Sequence, residues 1–304
     1  MLPWVMRARV TLAFAIVYIV WGSTYLAIRY AVQTLPPFLL TGTRFVVAGT
    51  LLSTWALARG AQRPTWANWK AVTIIGLLLF PCANAVVVWA ETRVVSGLAA
   101  LLVAIEPLWV VILLMLYAKQ RPALSVVTGI LLGFAGLVVL VGPSLRPGHQ
   151  GVDLTAALAL VGASCSWAIG SVYGRTAPLP RAPLLAAGLE MLVGGIGAFL
   201  VGIVAGEPRR LDLPAVSARS VLALVYLTVL GSIVAFTAYN YLVTEEPPAR
   251  VSTYAYVNPV IAVLLGAAVA GEPLTPRIGA ATVVIVTAVI LVIAGQGRAK
   301  LSSS

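Results

Sequence analysis

Polar residues gather in short breaks along this chain, and between the breaks it stays apolar for about 20 residues, enough to cross roughly 30 Å of hydrocarbon as a helix. Ten such stretches are predicted, at residues 10–33, 37–58, 69–92, 96–118, 123–143, 151–174, 181–206, 218–243, 249–271 and 275–296. Proline and charge coincide at the breaks, as at Pro36-Pro37, Arg63-Pro64, Lys119 to Pro122, Pro178 to Pro183 and Glu245 to Pro248. That combination suits helix ends at the water interface, where Trp66 and Trp69 would form part of an aromatic belt. The stretches lack the period-two alternation of a barrel strand. Lipid offers no partner to an open backbone, so the spanning elements are helices. The expectation is an all-α polytopic membrane protein.

The stretches also repeat. Residues 17–49 and 163–195 align without a gap at a shift of 146, matching Trp21 with Trp167, Arg29 with Arg175, Pro37 with Pro183 and Gly49 with Gly195. A shift of 152 sets Glu106-Pro107 over Asn258-Pro259. The chain therefore divides into residues 1–147 and 148–304, with five spans in each. An odd number of spans makes the second copy enter the bilayer from the opposite side. Inverted repeats of this kind build transporters whose site lies between the halves and whose mouths open alternately. Arg29 belongs near one mouth and Arg175 near the other.

Composition narrows the class further. Hydrophobic residues make up 61% of the 304 residues and charged residues only 10%, with mean hydropathy +1.01. A soluble domain carries about 25% charged residues. The net charge of +11 is spread through loops with no basic patch, which excludes a nucleic-acid surface. With the N-terminus inside, twelve Lys and Arg fall on the inner face and seven on the outer, leaving Arg44 within a span. That bias places both termini in the cytoplasm. The first apolar stretch is too long for a cleavable signal and reads as the first span. Cys82 and Cys165 lie in separate spans and read as reduced, small hydrophobes.

Several local sequences together carry a family resemblance. They are Trp21-Gly22-Ser23-Thr24-Tyr25, Thr43-Arg44-Phe45-Val46-Val47-Ala48-Gly49, Ser96-Gly97-Leu98-Ala99-Ala100, Ser166-Trp167-Ala168-Ile169-Gly170-Ser171 and Tyr256-Val257-Asn258-Pro259. The chain resembles, over nearly its whole length, the EamA-type exporters of the drug/metabolite transporter superfamily, with two five-helix repeats. The resemblance implies an exporter of amino acids or similar metabolites in a bacterial inner membrane, similar to the aromatic-amino-acid and paraquat exporters. It implies a cavity enclosed by helices one to four and six to nine, with five and ten at the edge.

The candidate site is built on the repeat. Glu106-Pro107 and Asn258-Pro259 each fall about midway through a span, where a proline removes a helical hydrogen bond and a broken helix can line a cavity. Pro81 is a third expected hinge. A carboxylate at that depth must be protonated, paired or hydrated. Glu106 would sense a proton or meet a substrate ammonium; a buried structural glutamate is the alternative. Trp21, Tyr25, Asn84, Trp167, Tyr239, Tyr254 and Asn258 are the other cavity candidates, since indole and phenol rings stack on aromatic substrates or hold cations. Packing against lipid or a neighbouring helix is the competing role for each.

Arg44 and Glu190 occupy equivalent positions in the second and seventh spans at mirrored depth, so they should not meet. Glu91 at the end of the third span is the expected partner of Arg44, as an outer gate or a packing contact. The glycines at small-xxx-small spacing serve close helix contact.

The missing chemistry matters as well. His149 is the sole histidine, so a histidine metal site or a Ser-His hydrolase has no material, and no metal or cofactor is expected. No phosphate-binding loop is present to drive transport with nucleotide. Of the intramembrane cations only Arg44 is available, which argues against polyanionic substrates. The reading is a secondary transporter exporting hydrophobic or aromatic amino acids, coupled to protons or uncoupled. The alternative is a proton-coupled multidrug exporter of lipophilic cations. A membrane enzyme or a passive channel lacks its residues.

Overall fold

The computed structural model describes residues 3–118, 124–141, 152–246, 248–251 and 253–301. The boundary expected at 147/148, along with Lys119 and His149, lies outside the described residues. Ten helical spans follow in order: α1 Pro3–Ala31, α2 Pro37–Ala58, α3 Trp66–Ala90, α4 in two pieces, Ser96–Val103 and Glu106–Ala118, and α5 Leu124–Val141. The second set is α6 Leu154–Gly174, α7 Pro183–Val204, α8 Ala218–Glu245, α9 Tyr254–Ala270 and α10 Pro276–Leu301. No strand occurs among the described residues.

Packing follows the inverted repeat. α2 lies along α7 and α5 along α10; α1 packs on α8 and α9, α3 on α6 and α7, and α4 on α6 and α9. Exchanging the two sets of five turns the α1–α9 contact into α6–α4 and the α3–α6 contact into α8–α1, so the pattern is preserved. The α2–α7 seam shows why glycine recurs at matched positions. A Cβ on Gly49 would stand 2.4 Å from the Leu192 nitrogen, and one on Gly195 would stand 2.6 Å from the Val46 nitrogen. The two backbones touch directly, and any side chain at either position would force them apart.

The third helix of each half departs from α geometry. α3 widens to a π-helix over Phe80–Asn84 and α8 over Leu227–Val234. In α3 the cause is Pro81, whose ring clashes with the carbonyl four residues back unless the turn widens. α8 contains no proline, and Ser232 Oγ donates to the Leu227 carbonyl at 3.1 Å across the wide turn. Short π segments inside α-helices cluster at functional sites.

The two expected midplane breaks differ. α4 is interrupted at Ala104 and Ile105, so that Glu106-Pro107 opens a new helix, where proline loses no hydrogen bond. α9, in contrast, runs without interruption through Pro259. The expectation of a broken helix at Asn258-Pro259 is therefore corrected: helical φ suits the ring, and the rest of α9 keeps its hydrogen bonds.

Candidate functional site

A cavity of about 160 Å³ lies between the halves. Helices α1 to α4, α6, α8 and α9 supply its lining, while α5, α7 and α10 supply none of it. The interrupted α4 gives Glu106 and Pro107, the α3 π-helix gives Phe80, Ala83 and Asn84, and α1 and α6 give Trp21, Tyr25 and Trp167. Tyr254, Asn258 and Pro259 enter from α9. Seven of the eight expected cavity residues line it. The eighth, Tyr239, stands behind Trp21 with ring centroids 5.2 Å apart. Pro81 does not reach the cavity.

Two aromatic groups wall the space. Trp21 meets Phe236 and Tyr254 edge-on at 5.4 and 5.2 Å. On the other side Phe80 packs on Phe45 at 4.3 Å and on Trp167 at 6.5 Å. The repeat-related tryptophans are tied differently. Trp21 Nε1 donates to the Gly231 carbonyl in the π-helix of α8 at 3.1 Å, whereas Trp167 Nε1 has no hydrogen-bond partner among the described residues.

The polar groups are few and mostly unpartnered. Arg44 is 4% exposed, lines the cavity and sits over the Phe45 ring at 4.5 Å. Its Nε donates to Ser232 Oγ at 2.8 Å. The expected Arg44–Glu91 pair is not formed. Glu91, 2% exposed, has neither oxygen hydrogen-bonded and lies within electrostatic reach of Arg29 and Glu272 instead. The reason is topological: the α8 π-helix brings Ser232 beside Arg44, while the end of α3 meets the end of α1. Glu190 does not line the cavity and makes no hydrogen bond or ion pair with the described residues; its backbone instead crosses α3 at Gly76, where a Cβ would stand 2.5 Å from the Glu190 carbonyl. Glu106 likewise forms no ion pair among the described residues, with Tyr239, Tyr254 and Arg175 in electrostatic range. Asn84 and Asn258 each keep a buried, unsatisfied Oδ1.

Reading the sequence missed two carboxylates at one mouth. Glu207 accepts from the Phe38 and Leu39 amides at the start of α2, at 3.2 and 2.8 Å. Glu272 accepts from the Ser96 and Gly97 amides at the start of α4, at 2.9 and 3.2 Å, and pairs with Arg29 Nε at 3.1 Å. The signal was available: both lie in a Gly-Glu-Pro tripeptide whose glycine has positive φ, 74° at Gly206 and 63° at Gly271.

An inverted pair of five-helix bundles around a cavity between the halves defines a membrane transporter. The comparisons agree: the EamA-like transporter family matches residues 9–142 and 154–294, and the chain belongs to that family. It is 42% identical over 281 residues to the uncharacterized inner membrane transporter YedA of Escherichia coli (strain K12), covering 92% of this chain and 89% of that one. It is 26% identical over 250 residues to a chloroplastic WAT1-related protein of Arabidopsis thaliana, covering 81% and 60%. A solved crystal structure superposes with TM-score 0.64 at 25% identity, covering 94% of this chain and 97% of the other.

Proposed function

We propose that this transporter exports hydrophobic or aromatic amino acids and similar small metabolites by alternating access through the central cavity. The observation that supports it most is the composition of that cavity, with Trp21, Trp167, Tyr25 and Tyr254 around Glu106, Arg44 and two free carboxamides. An apolar cavity of about 150 Å³ holds a benzene ring, so an aromatic side chain fits the space. In this reading the halves divide at 147/148, Glu106 meets the substrate ammonium or a proton, and Pro81 and Pro107 allow the helices to bend.

Proteoliposomes loaded with a substrate panel test the reading, with and without an imposed pH gradient. Phenylalanine efflux should exceed that of protein-free vesicles severalfold; equal rates count against the proposal. Glu106→Gln should remove any stimulation by the gradient, and an unaltered pH profile would take Glu106 out of coupling. Orientation follows from the Lys and Arg bias, with both termini cytoplasmic. Single cysteines placed in 144–150 and in 244–248 should be alkylated from opposite sides of the membrane.

The second reading is proton-coupled export of lipophilic cations. Glu106 favours it, as a cavity carboxylate with no ion pair among the described residues and with Tyr239 and Tyr254 in electrostatic range. Efflux of a quaternary aromatic cation in preference to phenylalanine would select it.

A further inference from the structure

We propose that Arg44 is the anchor for the carboxylate of the transported molecule, and that Glu106 with Asn258 receives its ammonium, so the cavity selects zwitterions. This inference rests on the central cavity being the transport site.

Arg44 is where the observations converge. An arginine that is 96% buried in a membrane span is costly unless a counter-charge or a full set of acceptors receives it. The protein gives it one hydroxyl, Ser232 Oγ, and one ring face, Phe45. No carboxylate pairs with it among the described residues. Its two terminal nitrogens have no acceptor there either, and the side chain lines the cavity. Four N–H bonds of a planar fork are left, the set that grips a carboxylate through two parallel hydrogen bonds. Gly231 keeps the position open, since a Cβ there would stand 3.1 Å from Nη2. Nε is held by Ser232, so the fork is oriented before any ligand arrives.

The opposite charge lines the same cavity. Glu106 has no salt-bridge partner among the described residues, and Asn258 Oδ1 is a buried acceptor without a donor. An ammonium brings three donors to such acceptors. A monocation would leave Arg44 uncompensated, and a monoanion would leave Glu106 with only Arg175 in electrostatic range. A zwitterion neutralises both, and desolvated charges that lose their partner are what make rejection strong. The aromatic rings that line the rest of the cavity accept the side chain.

The test compares phenylalanine with phenethylamine, which lacks the carboxylate, and 3-phenylpropionate, which lacks the ammonium. Binding is read as the rise in melting temperature of the purified protein, and transport as efflux from proteoliposomes. The unaltered protein should bind phenylalanine at least about tenfold more tightly than either analogue. Arg44→Gln should cost phenylalanine about tenfold or more and change phenethylamine by less than about threefold. Glu106→Gln should do the reverse with 3-phenylpropionate. Arg44→Lys keeps the charge without the fork and should fall between, and it serves if the glutamine variant does not fold. Equal losses for phenylalanine and phenethylamine would overturn the anchor and leave transport standing. Phenethylamine bound more tightly than phenylalanine would overturn it too, in favour of a cation exporter. Phenylalanine binding that depends on Arg44, with no efflux, would uphold the anchor and sink the export reading.

Discussion

At the mouth that carries Arg29, the second repeat reaches over the first with two buried carboxylates. Glu207 covers the amides that open α2, and Glu272 covers those that open α4 while pairing with Arg29. The positions related by the same shifts of 146 and 152 are Ala61, at the mouth that carries Arg175, and Gln120, which lies outside the described residues. The register is sound, because Gly60 and Gly206 both take positive φ, 88° and 74°, immediately before Ala61 and Glu207. With no carboxylate to serve it, the Leu185 amide at the start of α7 turns to the Ala182 carbonyl at 3.0 Å. Arg175 pairs with no carboxylate among the described residues, and the cross-repeat ties recorded there are neutral, such as Asn68 Nδ2 to the Pro178 carbonyl at 2.7 Å. The apolar frame obeys the two-fold relation and the charges do not. On the alternating-access proposal, exchanging the conformations of the halves cannot reproduce the ties of one mouth at the other, and the two closed states would differ in energy.

Removing the strongest tie should show this first. Glu272→Ala leaves two helix-start amides and Arg29 without their acceptor, which should cost about 2–4 kcal/mol and lower the melting temperature in detergent. It should also free that mouth: a cysteine in place of the exposed Thr92 should be alkylated faster than in the parent. Unchanged labelling with a lowered melting temperature would reduce Glu272 to a packing residue. Glu207→Gln keeps one acceptor oxygen of the two, so the loss should be smaller, about 1–2 kcal/mol.

The comparison can also be erased by addition. Ala61 packs against the buried cluster that contains Leu185, at the start of α7. Ala61→Glu would put a carboxylate where Glu207 stands in the other half. The gain should be about 0.5–1 kcal/mol, with slower efflux because the second mouth now holds shut as well. Faster efflux would mean that this mouth does not limit the cycle.

How much of this could be read from the chain follows the same division. The spans were legible because hydrocarbon thickness fixes their length, and the cavity was legible because the repeat pointed to Trp21, Trp167, Glu106 and Asn258. Backbone detail was not. Pro107 and Pro259 look alike in sequence, yet one opens a helix and the other sits inside one, since the result depends on what the neighbouring turn packs against. The α8 π-helix has no proline to announce it, and without it neither the Ser232 hydroxyl beside Arg44 nor the Gly231 carbonyl under Trp21 is foreseeable. Depth alone suggests Glu91 as the partner of Arg44. Depth does not decide which helix end meets which, and Ser232 lies 188 residues away.

The weakest tie of the Arg29 mouth separates charge from packing most cleanly. Asp153 caps α6, accepting from the Ala156 amide at 3.0 Å, and pairs with Arg93 Nη1 at 3.3 Å across the loop after α3. Continuing the shift of 146, its repeat-mate is Arg7 near the start of α1, a cation where the helix dipole favours an anion. The Ala156 amide and the Arg93 guanidinium hold the Asp153 carboxyl below the usual carboxylate range. A group depressed in the folded state stabilises above its unfolded value, near pH 4, and that contribution disappears as pH falls through the folded value. Asp153→Asn should thus lower stability slightly at neutral pH, and the difference from the parent should vanish in acid. Because the site is exposed, salt should shrink the Arg93 part of the effect while leaving the α6 cap intact. A difference that persists unchanged below pH 3 would mean that asparagine had disturbed the α6 start itself, and that charge at this position does not distinguish the two mouths.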